Sequence, residues 1–515
     1  MKGKMLKRSV LVFLGVSVIV VLALIGTANA QGSALDKVDA FKNALTKAGF
    51  TLTEGRLRYQ DFLKDTCQGR LPDTLSNNPW PNTYMVIGFG SAEQPQDMFW
   101  QLGENEAVVL VGQTPPSAKF FSYQTFLIRL PGSTDRLGVP VGDSINIGTI
   151  RTIGPDKFNK PVVIIVTGNT ETENRVRAAA LKAGYPNAII NVEAISPAIG
   201  PLGKGNQGSV FALGHRIAVA DNQAELLDYV QNPAAYYAVF RVTPNDQLDK
   251  QLAGHPEPVP VQRVRGTGQT EMALYPSLKE LRQAILDTYA GMPGMELDTK
   301  IWTARTPDNR EATIEKPYVG LQRGIQVLGA SRDSNYLATY PYFRLRDGED
   351  EFVIVYGVNH QTTGKVTYTS FSIYADKNQW LGPQDGTTTS PHYDGSGLPG
   401  DSARKYLCPD DPNKCGQDVQ YLYAWKVARR CNGEPYCMEV RDEFTDIDGN
   451  AYTCNLYDYY TNPGIPTLLG PFDMNNADLF FLWRSYMEPA TNIGPDDSEL
   501  LYDRAIYFGP YFTKQ

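Results

Sequence analysis

The six cysteines constrain this fold more than any other feature of the chain. Cys408, Cys415, Cys431, Cys437 and Cys454 crowd one stretch, and Cys67 stands alone far upstream. The number is even and the chain opens like an exported one, so these residues read as a disulfide framework. Local closure pairs Cys408 with Cys415 and Cys431 with Cys437, around short loops that contain Pro or Gly. Cys67 is then left to Cys454, a bond that would clasp the N-terminal part of the chain to the C-terminal part. Many other pairings are open to six cysteines. Zinc is disfavoured, because its sites want close pairs such as C-x-x-C.

The export reading rests on the first 30 residues. Lys2, Lys4, Lys7 and Arg8 precede an apolar run from Val10 to Ile25, and Ala28-Asn29-Ala30 follows. Basic, apolar, then small-x-small is the secretory pattern. Residues 1–30 are therefore expected to be a signal peptide, with the working chain starting at Gln31. The alternative is a membrane anchor through residues 9–28, although the apolar run falls short of the ~20 residues a spanning helix needs. No later stretch is apolar enough to span, so no membrane span is expected after cleavage. No Asn is followed two positions on by Ser or Thr. The lack of a glycosylation acceptor favours a prokaryotic periplasm or exterior.

Charge narrows the partners. The formal net charge is -8, and no basic cluster follows the leader, which argues against nucleic acid and anionic membrane surfaces. Glycine (46) and proline (35) are plentiful, so loops should be too. Tyr outnumbers Phe, 29 to 21. Its amphipathic ring suits half-buried strands and wet binding faces.

Periodicity sets the architecture as mixed α+β. Leu35, Val38, Phe41 and Leu45 predict an amphipathic helix ending at Gly49. A second helix is expected over Arg56–Lys64, and strands over Tyr84–Phe89, Ala107–Val111 and Phe120–Leu130. Val162–Val166 reads as a buried strand. A helix through Val176, Ala179, Ala180 and Ala183 follows, with Thr170 as its cap, and then a strand over Ala188–Val192. Strand, helix and strand at this spacing predict one βαβ crossover, within an N-terminal α/β part spanning 31–253. The proline-rich stretch from Gly254 opens an expected linker, 254–276. A β-rich domain is expected over 277–515, carrying the cysteine cluster at 408–454. It should begin with a helix through Leu278, Leu281, Ile285 and Leu286, and Phe352–Val358 and Val366–Tyr374 should form a hairpin.

Three stretches are similar to segments of exported proteins whose activity is uncharacterised. They are Pro115-Pro116-Ser117-Ala118-Lys119-Phe120-Phe121-Ser122-Tyr123, Gly142-Asp143-Ser144-Ile145-Asn146, and Arg175 through Ile190 with its Ala-Gly-Tyr-Pro turn. The resemblance covers the first half of the chain and implies no activity.

The chemical motifs are thin. Gly142-Asp143-Ser144-Ile145 resembles the nucleophile block of GDSL-type esterases, but no His here has an Asp three residues before it. A Gly- and Pro-rich turn is the expectation. Gly200–Ser209 has the glycines of an anion nest, yet Ala198 and Gly205 break the P-loop pattern. It reads as a loop. Asp446, Asp448 and Asn450 place oxygens at alternate positions, as calcium loops do. Ala451 and Tyr457 then break the EF-hand pattern, and Asp448-Gly449 is also a hairpin-turn signal. Calcium at these three residues is the one ion the sequence suggests. His215 lies in an apolar run and reads as a core residue, His255 sits in the linker, and His360 is placed in a hairpin turn. His392 shares a loop with Asp394. The acidic runs 347–351, 408–411 and 496–499 read as solvated loops.

These features leave a non-catalytic exported binding or cell-envelope protein as the expectation, with a glycan, peptide or envelope protein as ligand. A secreted hydrolase working through paired carboxylates is the alternative. A concave cluster of acids with raised pKa values would favour the enzyme.

Overall fold

Continuous apolar runs mark strands covered on both faces. Val108–Val111 and Val162–Val166 are such runs, and every residue in them is fully buried. The computed structural model describes residues 35–71, 83–90, 95–133, 137–302, 304–305, 311–312, 331–347, 350–375, 384–386, 401–411, 414–441, 443–458 and 467–509. The expected leader at 1–30 and the His392–Asp394 loop lie outside the described residues.

Two large sheets organise the chain. The first runs Val139–Pro140, Ala118–Arg129, Val210–Ala220, Thr83–Gly88, Phe50–Tyr59, Tyr237–Pro244, Ala107–Gln113, Pro161–Thr167, Ile190–Ala194. Pro161–Thr167 and Ile190–Ala194 pair in parallel, with helix Thr170–Lys182 between them in sequence. The buried runs divide by parity, as the two-residue period of a strand requires. Val109, Val111, Val163 and Ile165 face the helices of Phe41, Leu45, Val176 and Leu252. Val108, Leu110, Ile164 and Val166 face Phe121, Leu127, Phe211 and Ile217.

Two local expectations change. Asn169, rather than Thr170, caps the helix, its side chain accepting from the Thr172 N–H at 2.9 Å. Asn169 also donates to Asn105 and to the Leu252 carbonyl, so tertiary contacts fix its side chain at that position. Arg56–Tyr59 belong to strand Phe50–Tyr59, and the helix there is Phe62–Cys67. The strand gains ladders on both sides, which outweigh a weak helical pattern.

The second sheet runs Gln384–Gly386, Tyr368–Ala375, Leu479–Tyr486, Ser334–Tyr340, Gly294–Ile301, Arg504–Phe508, Phe352–Val358, Leu422–Ala428, Cys437–Glu439. One face packs Val353, Val355, Phe371, Trp425, Phe481 and Trp483 together. The other carries helices Tyr275–Thr288 and Asp401–Leu407, seated through Leu278, Leu281, Ile285, Ala403 and Tyr406. The expected hairpin of Phe352–Val358 with Val366–Tyr374 does not form. Phe352–Val358 pairs with Leu422–Ala428 and Arg504–Phe508, whereas Tyr368–Ala375 pairs with Leu479–Tyr486. The sheet curls, so Phe371 meets Tyr423 and Trp425 with ring centroids 6.5 Å apart. A short link can therefore join strands that are not neighbours in the ladder.

All six cysteines are bonded, as Cys67–Cys454, Cys408–Cys415 and Cys431–Cys437. Cys67 ends helix Phe62–Cys67 and is fully buried against the second sheet's core. Three disulfides fit an oxidising compartment. Among the described residues, no helix is long and apolar enough to cross a membrane.

Polar contacts stitch the two sheets together. Arg332 donates to Asp143 at 2.7 Å. Ser144 and Asn146 both donate to Asp333, Asn146 at 2.9 Å. The stretch 254–276 is bound at both ends. The Glu257 N–H donates to the Gly168 carbonyl, and the Glu271 N–H to the Glu499 carbonyl, at 2.8 and 3.0 Å.

Candidate functional site

The link 359–365 builds the floor of a cleft. Asn359 begins it as an Asx turn, its side chain accepting from the N–H groups of Gln361 and Thr362 at 3.2 and 3.3 Å. Gly364, at φ 79°, closes the turn. The His360 carbonyl then accepts from the N–H groups of Lys365 and Val366 at 3.0 and 3.1 Å. Two charged side chains, His360 and Lys365, are buried by this fold.

His360 is clamped between carboxylates. Its Nδ1 lies 2.8 Å from Glu271 Oε2, and its Nε2 lies 3.3 Å from Asp503 Oδ2. Burial alone would lower the imidazole pKa, but the two negative charges outweigh it and hold the pKa at about 10. His360 is therefore an imidazolium at neutral pH. Asp503 is held in turn by the Tyr423 hydroxyl at 2.6 Å, and Tyr423 by the Trp483 indole N–H at 2.8 Å.

Lys365 is clamped in the same manner. Its Nζ lies 2.6 Å from Glu488 Oε1, touches Glu499 Oε2, and lies 2.9 Å from the Gln269 carbonyl. Burial pushes its pKa down, and the two glutamates push it above the ordinary value. Glu499 also receives the N–H groups of Thr267 and Gly268. Burial raises Glu271 and Glu499, but His360 and Lys365 respectively, with the surrounding hydrogen bonds, bring both below the ordinary carboxylate range. Each is thus a fixed carboxylate ion.

Above this network lies a cleft of about 420 Å³. Glu271, Lys365 and Glu488 line it with Thr363 and Tyr421, and Leu274, Pro489 and Ala490 supply apolar wall. It is concave and polar at its base, as small-ligand sites are.

The acids with raised pKa values lie elsewhere. Burial lifts Glu193 to about 7, against hydrogen bonds from Thr125 and Gln124 inside the first sheet. Burial also lifts Asp65 to about 6 against the opposing charge of Arg70. Neither lines the cleft.

The other expected residues have identifiable tasks. Ser144 is buried, and its partner is Asp333 rather than a histidine. A buried hydroxyl bonded to a carboxylate, with no imidazole to take its proton, is a stitch and not an activated nucleophile. Asp446, Asp448 and Asn450 form the turn between Phe444–Thr445 and Ala451–Tyr452. Asp446 accepts from the N–H groups of Asp448 and Asn450 at 3.1 and 2.8 Å and from Lys64 Nζ at 2.7 Å. Asp448 accepts from Gln231 at 2.6 Å. Among the described residues, no group of three or more His, Cys, Asp or Glu side chains is placed to hold a metal. In Gly200–Ser209 the Gly205 N–H goes to Gln101, the Gly203 N–H to the Leu102 carbonyl, and Lys204 pairs with Glu106. His215 is fully buried, stacked on Tyr123 with centroids 4.1 Å apart, and bonded to the Ser122 carbonyl and the Tyr229 hydroxyl.

Sequence reasoning missed Glu271, Lys365, Glu488 and Glu499. They come from four separate segments, so no spacing links them. Glu499 lies in a run read as solvated, and Lys365 in the link of the expected hairpin. The available signal was an apolar context, with Leu500-Leu501 after Glu499 and Val366 after Lys365.

No family model and no curated protein matches the chain. Among solved structures, it is similar to an uncharacterised protein of Burkholderia cenocepacia at 10% identity and TM-score 0.35, covering 91% of this chain and 87% of that one. It is also similar to a protein of Vibrio parahaemolyticus at 12% identity and TM-score 0.35, covering 94% and 99%. A third likeness, at 9% identity and TM-score 0.16, is to the partial N-terminal region of an enterococcal surface protein, covering 87% and 86%.

Proposed function

We propose that the protein works outside the cytoplasm as a binding protein, and that the cleft over Glu271, Lys365 and Glu488 is where it holds its ligand. The observation that carries this reading is the ion pairing of Glu271, which lines the cleft, and of Glu499 beneath it. Hydrolysis by paired carboxylates needs one that holds a proton. Glu271 and Glu499 are instead kept ionised by His360 and Lys365. Locked charges of this kind shape a site without moving protons. The secreted hydrolase remains the competing reading.

The purified protein can be screened against glycan, ester and peptide substrates beside its Glu271→Gln and Glu488→Gln variants. The binding reading expects no turnover above background from any of the three. Turnover in the parent that disappears in either amide variant would replace it with the hydrolase.

A further inference from the structure

We infer that the cleft recognises a primary ammonium group, carried on a ligand small enough to fit the space lined by Tyr421, Pro489 and Ala490. This inference rests on the reading of the cleft as a binding site and names what that site selects. Three observations carry it.

The first is charge. Glu271 and Asp503 face His360, and Glu488 and Glu499 face Lys365, in two adjoining clusters. Four carboxylates against two cations leave a formal surplus of two negative charges, and Glu271 and Glu488 bring it to the cleft surface. Low-dielectric walls focus such a field toward the opening.

The second is the lack of a spare donor. Lys365 has three protons. Its Nζ already has four acceptors, in Thr267 at 3.3 Å, the Gln269 carbonyl at 2.9 Å, Glu488 and Glu499. The Lys365 ammonium is saturated, so it offers nothing to a carboxylate or phosphate ligand.

The third is a spare acceptor. Glu488 is 97% buried, its exposure being 3%, and it lines the cleft. Its Oε1 takes Lys365 and Thr267, at 2.6 and 3.0 Å. Among the described residues its Oε2 has one contact, 3.4 Å from Thr491 Oγ1. A buried carboxylate oxygen with unused capacity is costly unless a donor arrives. An ammonium brings three donors and a positive charge, and charge-assisted bonds are the strong ones. Tyr421 lines the same cleft, and an aromatic ring there suits the carbon skeleton beside an amine.

The same chemistry can be presented by an amino sugar or by an alkyl amine, and the test separates them. Binding of a glucosamine oligomer, its fully N-acetylated counterpart and a short alkyl diamine is measured by calorimetry at mildly acidic pH, where the free amines are protonated. The inference expects the glucosamine oligomer to bind at least about tenfold more tightly than the N-acetylated form, since a charged hydrogen bond contributes about 1.5–3 kcal/mol. Ala490→Lys places a competing ammonium at an exposed position of the wall, and it is expected to remove that binding without altering the fold. Glu488→Gln is expected to weaken it by a similar factor. Binding of the diamine as well identifies the ammonium itself as the recognised group, and its failure assigns the site to amino sugars. Equal binding of the free and N-acetylated oligomers would overturn the ammonium and leave the cleft as a binding site. Amine binding untouched by Ala490→Lys, or no binding of any amine, would also overturn the inference. The substrate screen above decides the binding reading independently.

Discussion

Burial lowers the pKa of both histidines of the described core, and their partners decide where each one ends. His215 meets only neutral partners, and burial lowers its pKa to about 3. His360 meets Glu271 and Asp503, which reverse the effect of burial and hold it at about 10. A histidine whose folded pKa lies above its unfolded value of about 6.5 contributes stability that is complete below that value and is lost as the pH rises through the folded pKa. For His360 the loss therefore runs from neutral pH to about 10, and its full size is on the order of 5 kcal/mol. Urea unfolding measured from pH 7 to pH 10 should show falling stability in the parent and a flatter profile in His360→Gln. The variant should also be less stable at pH 7 by about 3 kcal/mol, because two buried carboxylates lose their cation. An unchanged slope would mean that His360 is neutral in the fold. The acid side is composite. His215 loses stability as the pH falls below 6.5, while Glu193, raised to about 7, contributes most at low pH and loses its share as the pH rises.

At the scale of elements, periodic segments were legible and pairings were not. Val162–Val166 and the helix with Val176, Ala179 and Ala180 announce themselves through side-chain period, which the chain carries locally. The partner of Phe352–Val358 is not local information. It lies at Leu422–Ala428 and Arg504–Phe508, and adjacency in sequence suggests Val366–Tyr374 instead. The Asp446–Asn450 turn shows how one pattern serves two ends. Alternate oxygens fit calcium, but here Lys64 already supplies Asp446 with a positive charge and pulls its carboxyl below the ordinary range. Millimolar calcium is therefore expected to leave the melting temperature unchanged. A rise that Asp448→Ala removes would assign the turn to calcium instead.

At the scale of the whole molecule, the cysteines were the most informative residues, because chain closure limits which ones can meet. Cys67–Cys454 spans a sequence separation of 387 and ties the first half to the core of the second. Restricting so long a loop in the unfolded chain stabilises the fold by about 6 kcal/mol in the loop-entropy account. The Cys67→Ser, Cys454→Ser double variant should unfold at lower denaturant than the parent, with the local pairs intact by non-reducing peptide mapping. Free thiols at both positions in the parent would exclude the clasp. The candidate site was the least legible feature, because its charged residues meet only after the segments around the second sheet and the 254–276 segment have docked. The central claim is that this cleft holds a ligand without transforming it. The direct measurement is mass spectrometry of envelope glycan and peptide fractions eluted from the immobilised protein and from an Ala490→Trp variant that fills the cleft. The account predicts species enriched on the parent, absent from the variant, and unchanged in mass from the input. Eluted masses that correspond to hydrolysis products, formed by the parent and not by Glu271→Gln or Glu488→Gln, would contradict it.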